Sequence, residues 1–166
     1  MTKKRNGSAP QEPQVPQMKV LGQFIRDLSF ENIVTRKPVN AEVRPDFQAQ
    51  VTIDPRKVGD DDRFEVASKY SITSKDKNSD DVLFLLELEY VGLFQIKNIA
   101  TEQLHPFLMI ECPRMMFPFV RRIVSDMTRD GGFPPLNLDI IDFVTLYRER
   151  LKQQQKESGD AETPAN

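Results

Sequence analysis

Residues 82–96, VLFLLELEYVGLFQI, decide how the chain is read. Side chains on a strand alternate between two faces. Val82, Phe84, Leu86, Leu88 and Tyr90 then share one face, wholly apolar or aromatic, and Leu83, Leu85, Glu87 and Glu89 share the other. A fully solvated face has no need of two leucines, and a fully buried one does not tolerate two unpaired carboxylates. The pattern predicts a strand in a sheet with one buried face and one mixed, acidic face.

Upstream, RFEVASKYSITS (residues 63–74) alternates in the same way, with Phe64, Val66, Ser68, Tyr70 and Ile72 on one side. The polar KDKNSDD joins it to the 82–96 strand as a hairpin. DFQAQVTID (46–54) sets Phe47, Ala49, Val51 and Ile53 against Gln48, Gln50 and Thr52, and PRKVGDDD turns the chain after it. KVLGQFIRDLSFEN (19–32) fits a helix in part, through Leu21, Phe24, Ile25 and Leu28. The strand reading is preferred, because Gly22 and Ser29 weaken a helix and the run is rich in aromatic and β-branched residues. Val20, Phe24, Leu28 and Phe30 are expected on one face of it, and Leu21, Ile25, Asp27, Ser29 and Glu31 on the other. A loop with Pro38 and Asn40 follows. Four strands joined by polar loops predict an antiparallel meander.

Downstream of Ile96 the apolar period lengthens towards 3.6 residues. Thr101 is a possible N-cap for TEQLHPFLMIEC, Pro106 restricts that helix, and Pro113 suits the first turn of a second. From 113 to 130 a stripe recurs at Met116, Phe119, Val120, Ile123, Val124 and Met127, with Met115 and Phe117 largely off it. Gly131 and Gly132 supply a stop. GFPPLNLDII is too rich in proline for a helix and is expected to be an extended apolar crossover, after which Asp142 caps FVTLYRERLKQQQ.

With 166 residues and a net charge of −2, the chain suits one domain and lacks the basic footprint of a nucleic-acid binder. The single Cys112 excludes an intrachain disulfide, and the single His105 argues against a His/Cys zinc site. No apolar run reaches membrane-span length, and the basic N-terminus has no apolar segment behind it, so a reducing cytoplasm is expected. No phosphate loop or nucleophile elbow is present, and no cofactor is expected. His105 reads as structural or exposed, Cys112 as a small buried hydrophobe, Asp60, Asp61 and Asp62 as a solvated turn rather than a calcium loop, and Asp139 with Asp142 as a weak rival carboxylate pair. Methionines 109, 115, 116 and 127 read as core or oligomer interface before an adaptable binding surface. Eleven phenylalanines exceed what four strands and a few helices cover, so an oligomer interface or an exposed groove is expected. The interface is expected on Met116, Phe119, Val120, Ile123, Val124 and Met127. Residues 1–17 are expected to be a disordered extension, 18–152 a single domain and 153–166 a flexible tail.

Four stretches carry a resemblance: DLSFEN at 27–32, GLFQI at 92–96, CPRMMFPFVRRIVSDMTRDGGFPPLNL at 112–138, and the last helix. Through them the chain resembles the SecB family of protein-export chaperones across about residues 18–155. The resemblance implies an α+β fold, a four-stranded antiparallel sheet with helices on one face, assembled as a homotetramer that is a dimer of dimers. It implies no enzyme but an ATP-independent holdase that keeps precursor proteins unfolded in the cytosol and delivers them to the SecA motor ATPase. It implies a SecA-binding face at Asp27, Glu31, Leu85 and Glu87, to which Glu89 is added because it shares the face of Glu87. It also implies a hydrophobic client groove, with candidates Phe47, Val51, Ile53, Phe64, Phe133, Leu136 and Leu138, each of which has core packing as its alternative. The tail KQQQKESGDAETPAN mixes lysines with its acids, which departs from the acidic tail of the family, and Lys3, Lys4 and Arg5 match none of its motifs.

Overall fold

The computed structural model describes residues 15–34, 44–59 and 61–160. Most of the N-terminal extension with its basic Lys3, Lys4 and Arg5, the loop around Pro38 and Asn40, Asp60 and the last six residues lie outside the described residues. The elements run β1 (Gln17–Asn32), β2 (Pro45–Lys57), β3 (Arg63–Asp76), β4 (Val82–Lys97), α1 (Thr101–Asp130) and α2 (Phe143–Asp160).

All four expected strands form, and every pairing is antiparallel, but the order is β1-β4-β3-β2. The meander expected from the short loops holds only for β2, β3 and β4. The first strand closes beside the last, in the Greek-key manner. The 82–96 stretch therefore sits in the middle of the sheet, paired on both sides. Phe84, Leu86, Leu88 and Tyr90 face the core with Phe64, Val66, Tyr70 and Ile72. Leu83 departs from its expected face: it lies at a register shift between Ser74 and Lys75 and is buried in the core.

β1 is a strand, with register shifts between Val20 and Gly22 and between Ile25 and Asp27. Each inserted residue reverses the alternation. Between the shifts the faces are thus opposite to expectation: Phe24 pairs with Val91 and Ile25 with Tyr90. Beyond the second shift the expected alternation resumes, with Leu28 opposite Leu88 and Asp27 opposite Glu89.

The two short helices expected around Pro113 are one helix of 30 residues, with Pro106, Pro113 and Pro118 inside it. Each proline forfeits a hydrogen bond to the carbonyl four residues back. Packing on the sheet offsets this: Leu108, Met109, Cys112, Met116, Phe117, Val120, Ile123 and Val124 are all buried on that side. Ala100, not Thr101, is the N-cap residue, and no side chain caps the turn. At the other end Gly132 takes φ of 86°, whereas Gly131 is right-handed (φ −73°). Gly131 is needed for a different reason, since a Cβ there would stand 2.3 Å from the Phe30 ring. Phe30, Phe84 and Phe133 form an aromatic cluster at this corner, and Asn32 Nδ2 donates to the Gly131 carbonyl at 2.8 Å. The crossover is extended, tied back by the Leu136 N–H donating to Thr128 Oγ1 at 2.9 Å. Asp142 caps α2 through the N–H groups of Val144 and Thr145 and the Thr145 hydroxyl. α2 continues to Asp160, into the stretch expected to fray.

Candidate functional site

Helices and crossover cover one face of the sheet, and the register lays out the other residue by residue. Asp27, Glu89, Lys69 and Thr52 form one row across the four strands; Ser29, Glu87, Ser71 and Gln50 form the next; Glu31, Leu85, Thr73 and Gln48 form a third. Opposed residues of a ladder point to the same side, so Asp27, Glu31, Leu85, Glu87 and Glu89 are brought together on one face. Asp27, Glu31 and Glu87 are exposed, and Leu85 is half-buried among them. Asp27 and Glu87, on diagonal positions, line one shallow depression of about 310 Å³, with the paired Glu89 and Lys69 at its side.

Glu89 differs from its neighbours. Arg26 donates to it at 3.1 Å, Lys69 stands 3.9 Å away, and its side chain is only 19% exposed. Arg26 also holds Glu65 at 2.7 Å, and Arg56 holds the same carboxylate at 2.8 Å. The Glu65 side chain is only 8% exposed although no helix of the described residues lies on this side. Burial alone raises its pKa, but hydrogen bonds from Arg56 and Arg26 outweigh that and hold the carboxyl below its ordinary value. This cluster carries no one-dimensional signal, because Arg26 occupies the irregular step between Ile25 and Asp27 and Glu65 reads as one more polar residue on a half-exposed strand.

The second candidate surface lies at the other sheet edge, where β2 runs beside α2. A cleft of about 520 Å³ opens between them, lined by Val51, Ile53, Met109, Leu146, Tyr147 and Arg150. Arg150 donates to the Ile53 carbonyl, fastening the helix to the strand. Of the expected groove residues, Phe47 is exposed and Val51 and Phe133 are half-buried. Ile53, Phe64, Leu136 and Leu138 are core, buried in this chain's own interior. Edge position explains the gradient along β2: the helices reach Ile53 but leave Phe47 uncovered.

The expected interface stripe is corrected in the same way. Met116, Val120, Ile123 and Val124 are buried against the sheet, and Met127 is half-buried. Phe117, expected off the stripe, is in the core, while Phe119 is 44% exposed and Met115 is exposed beside it. Phe119 stacks on Tyr90, centroids 6.5 Å apart, and Tyr90 is the register partner of the exposed Ile25. Leu21 and Phe24 are exposed on the same strand, Phe24 on the opposite face from Ile25, so apolar side chains flank the β1 edge on both sides.

The side chains weighed as catalytic are otherwise engaged among the described residues. His105 Nδ1 meets the Tyr147 hydroxyl at 3.2 Å, Asp142 is spent as a cap, and Asp61 pairs with Arg63. Among the described residues no three His, Cys, Asp or Glu side chains stand where they could hold a metal ion, and no helix is long and apolar enough to cross a membrane.

Comparison with known proteins shows the family of the chain. The family model described as preprotein translocase subunit SecB matches residues 11–154. Relatives named protein-export protein SecB include one from Ruegeria pomeroyi, 56% identical over 150 residues (90% of this chain, 91% of the relative). Another, from Roseobacter denitrificans, is 59% identical over 144 residues, covering 87% of each chain. Among solved structures, a SecB-like chaperone of Mycobacterium tuberculosis in complex with a ChAD peptide from an antitoxin superposes with a TM-score of 0.61. It covers 75% of this chain and 91% of its own at 13% identity, a likeness of fold.

Proposed function

The chain belongs to the SecB family of protein-export chaperones, and on that premise we propose that it is an ATP-independent holdase that binds unfolded precursor proteins in the cytoplasm and passes them to the SecA motor ATPase. The observation that carries the division of labour is the one-sided sheet. One face is used up by α1, α2 and the crossover, and the opposite face presents Asp27 and Glu87 around Leu85. Acids set around an apolar contact suit a partner with basic residues around an apolar one, with charge steering the encounter and Leu85 slowing release. Clients, in this reading, use the cleft between β2 and α2 and the exposed Phe47, with Phe133 at the aromatic corner. The chain assembles as a homotetramer, and the surface available for it is the β1 edge with Leu21, Phe24, Ile25, Met115 and Phe119.

Two measurements test this. The protein should suppress aggregation of several unrelated unfolded proteins without nucleotide, and Phe47→Ala should weaken that without touching SecA binding. Glu87→Gln should slow association with SecA at low salt while leaving client protection intact. Protection confined to one folded partner would make the protein an adaptor instead.

A further inference from the structure

The outer face is not uniformly acidic, and Arg26 is the reason. It is the extra residue at the irregular step of β1, between Ile25 (opposite Tyr90) and Asp27 (opposite Glu89). An inserted residue has no partner in the ladder, so its side chain is re-aimed. Here the guanidinium passes over β4 and reaches Glu65 on β3, the next strand but one. Beneath that span Val91 and Ala67, on the same outer parity, are buried with no helix of the described residues above them, and long arginine stems cover apolar surface in this way. One guanidinium thus serves two carboxylates, Glu65 and Glu89; Arg56 shares the same Glu65 oxygen with it, and Lys69 stands 3.9 Å from the other oxygen of Glu89.

Resting on the docking role proposed for this face, we infer that Arg26 sets the boundary of the docking surface: it withdraws Glu89 and Glu65 from the partner, so that a basic partner segment meets Asp27 and Glu87 and stops at the arginine. Glu89 shares the face of Glu87 but is a structural anion, one oxygen accepting from Arg26 and the other within ion-pair reach of Lys69. Beyond it Arg26 and Arg56, gathered on Glu65, then repel a basic segment that slides towards the opposite end of the strands, which fixes the register of docking.

The test uses the full chain and purified SecA, with binding kinetics at low salt. Arg26→Gln should release Glu89 and tighten binding on the order of threefold. Arg26→Gln combined with Glu89→Gln should return to the wild-type value. Arg56→Gln makes the same change in net charge but releases nothing, because Arg26 still holds the buried Glu65, and should leave binding unchanged. Equal gains from Arg26→Gln and Arg56→Gln would overturn the boundary and leave only overall charge. So would a gain from Arg26→Gln that survives addition of Glu89→Gln. Should Arg26→Gln fail to fold, Arg26→Lys keeps the net charge. Its single ammonium stays with the buried Glu65 and frees Glu89, so a gain in binding is again expected and no gain overturns the proposal. Glu87→Gln is the separate arm: if it binds at the wild-type rate, the docking role of the whole face fails, whatever Arg26 does.

Discussion

Cys112 has no accessible surface, and burial, helped by the charge of Glu111, pushes its thiol up to about 12. A thiol that stays protonated and covered does not alkylate. Iodoacetamide at about pH 8 should therefore leave the folded protein unmodified and label it on unfolding in urea; mass spectrometry before and after denaturation reads this, and rapid labelling of the native protein would contradict the packing. Glu65 makes a second prediction at this scale. Its carboxyl is held below the ordinary value, so its stabilising contribution is complete above the unfolded pKa of about 4.3 and is lost as pH falls through the lower, folded value. Glu65→Gln should cost about 1–2 kcal/mol at neutral pH, with Arg26 and Arg56 left facing an amide. The gap to the wild type should close as the pH drops below about 4. Urea midpoints measured from neutral to acid pH would show it, and a gap independent of pH would mean that the two arginines act only by packing.

α1 shows how an element can be right in outline and wrong in extent. The apolar stripe was legible from its spacing, but Pro106 and Pro113 argued for a break that does not occur. A lone proline costs a helix about 3 kcal/mol, and a long row of buried side chains against the sheet outweighs that locally. How tightly the helix sits is set at Gly92, where a Cβ would meet the Phe94 ring at 2.4 Å and Met116 Sδ at 2.6 Å. Gly92→Ala should destabilise the protein by about 1–3 kcal/mol by overpacking this contact, and thermal denaturation would read it. Asp142→Ala should cost about 1 kcal/mol through the loss of the α2 cap. Because α2 forms one wall of the cleft proposed for clients, that variant should also bind clients more weakly in titration; unchanged client affinity would separate the cleft from the client site.

At the scale of the molecule, both edges of the sheet carry exposed apolar side chains. β2 carries the cleft, and β1 carries the apolar side chains around Tyr90. If the β1 edge is the surface shared between copies, Phe119→Asp should reduce the oligomer seen by sedimentation, while circular dichroism of the subunit stays as it was. Met116→Asp would fail differently, by unfolding the chain, because Met116 is fully buried. An oligomer that survives Phe119→Asp would place the interface elsewhere.

The amino-acid sequence alone determined the four strands, the buried face of β3 and β4, the helical stripe and the cap at Asp142, because alternation, helical period and capping are local and need only a few neighbouring residues. It also placed Asp27 and Glu87 together, through a family resemblance carried by long motifs. Strand order was not local: short loops suit a meander, and only the packed sheet sets β1 beside β4. Nor were the faces of Phe24 and Ile25, since an inserted residue is invisible in a one-dimensional alternation. The division between core and surface within one apolar class was decided in the same way. Leu136, Leu138 and Ile53 are buried while Phe47 and Phe119 are not, because depth depends on which elements reach a position, and the residue's own hydrophobicity is the same in either place. Arg26 shows the limit most clearly: its role comes from reaching Glu65 and Glu89 on two other strands, a meeting that exists only once the sheet is folded.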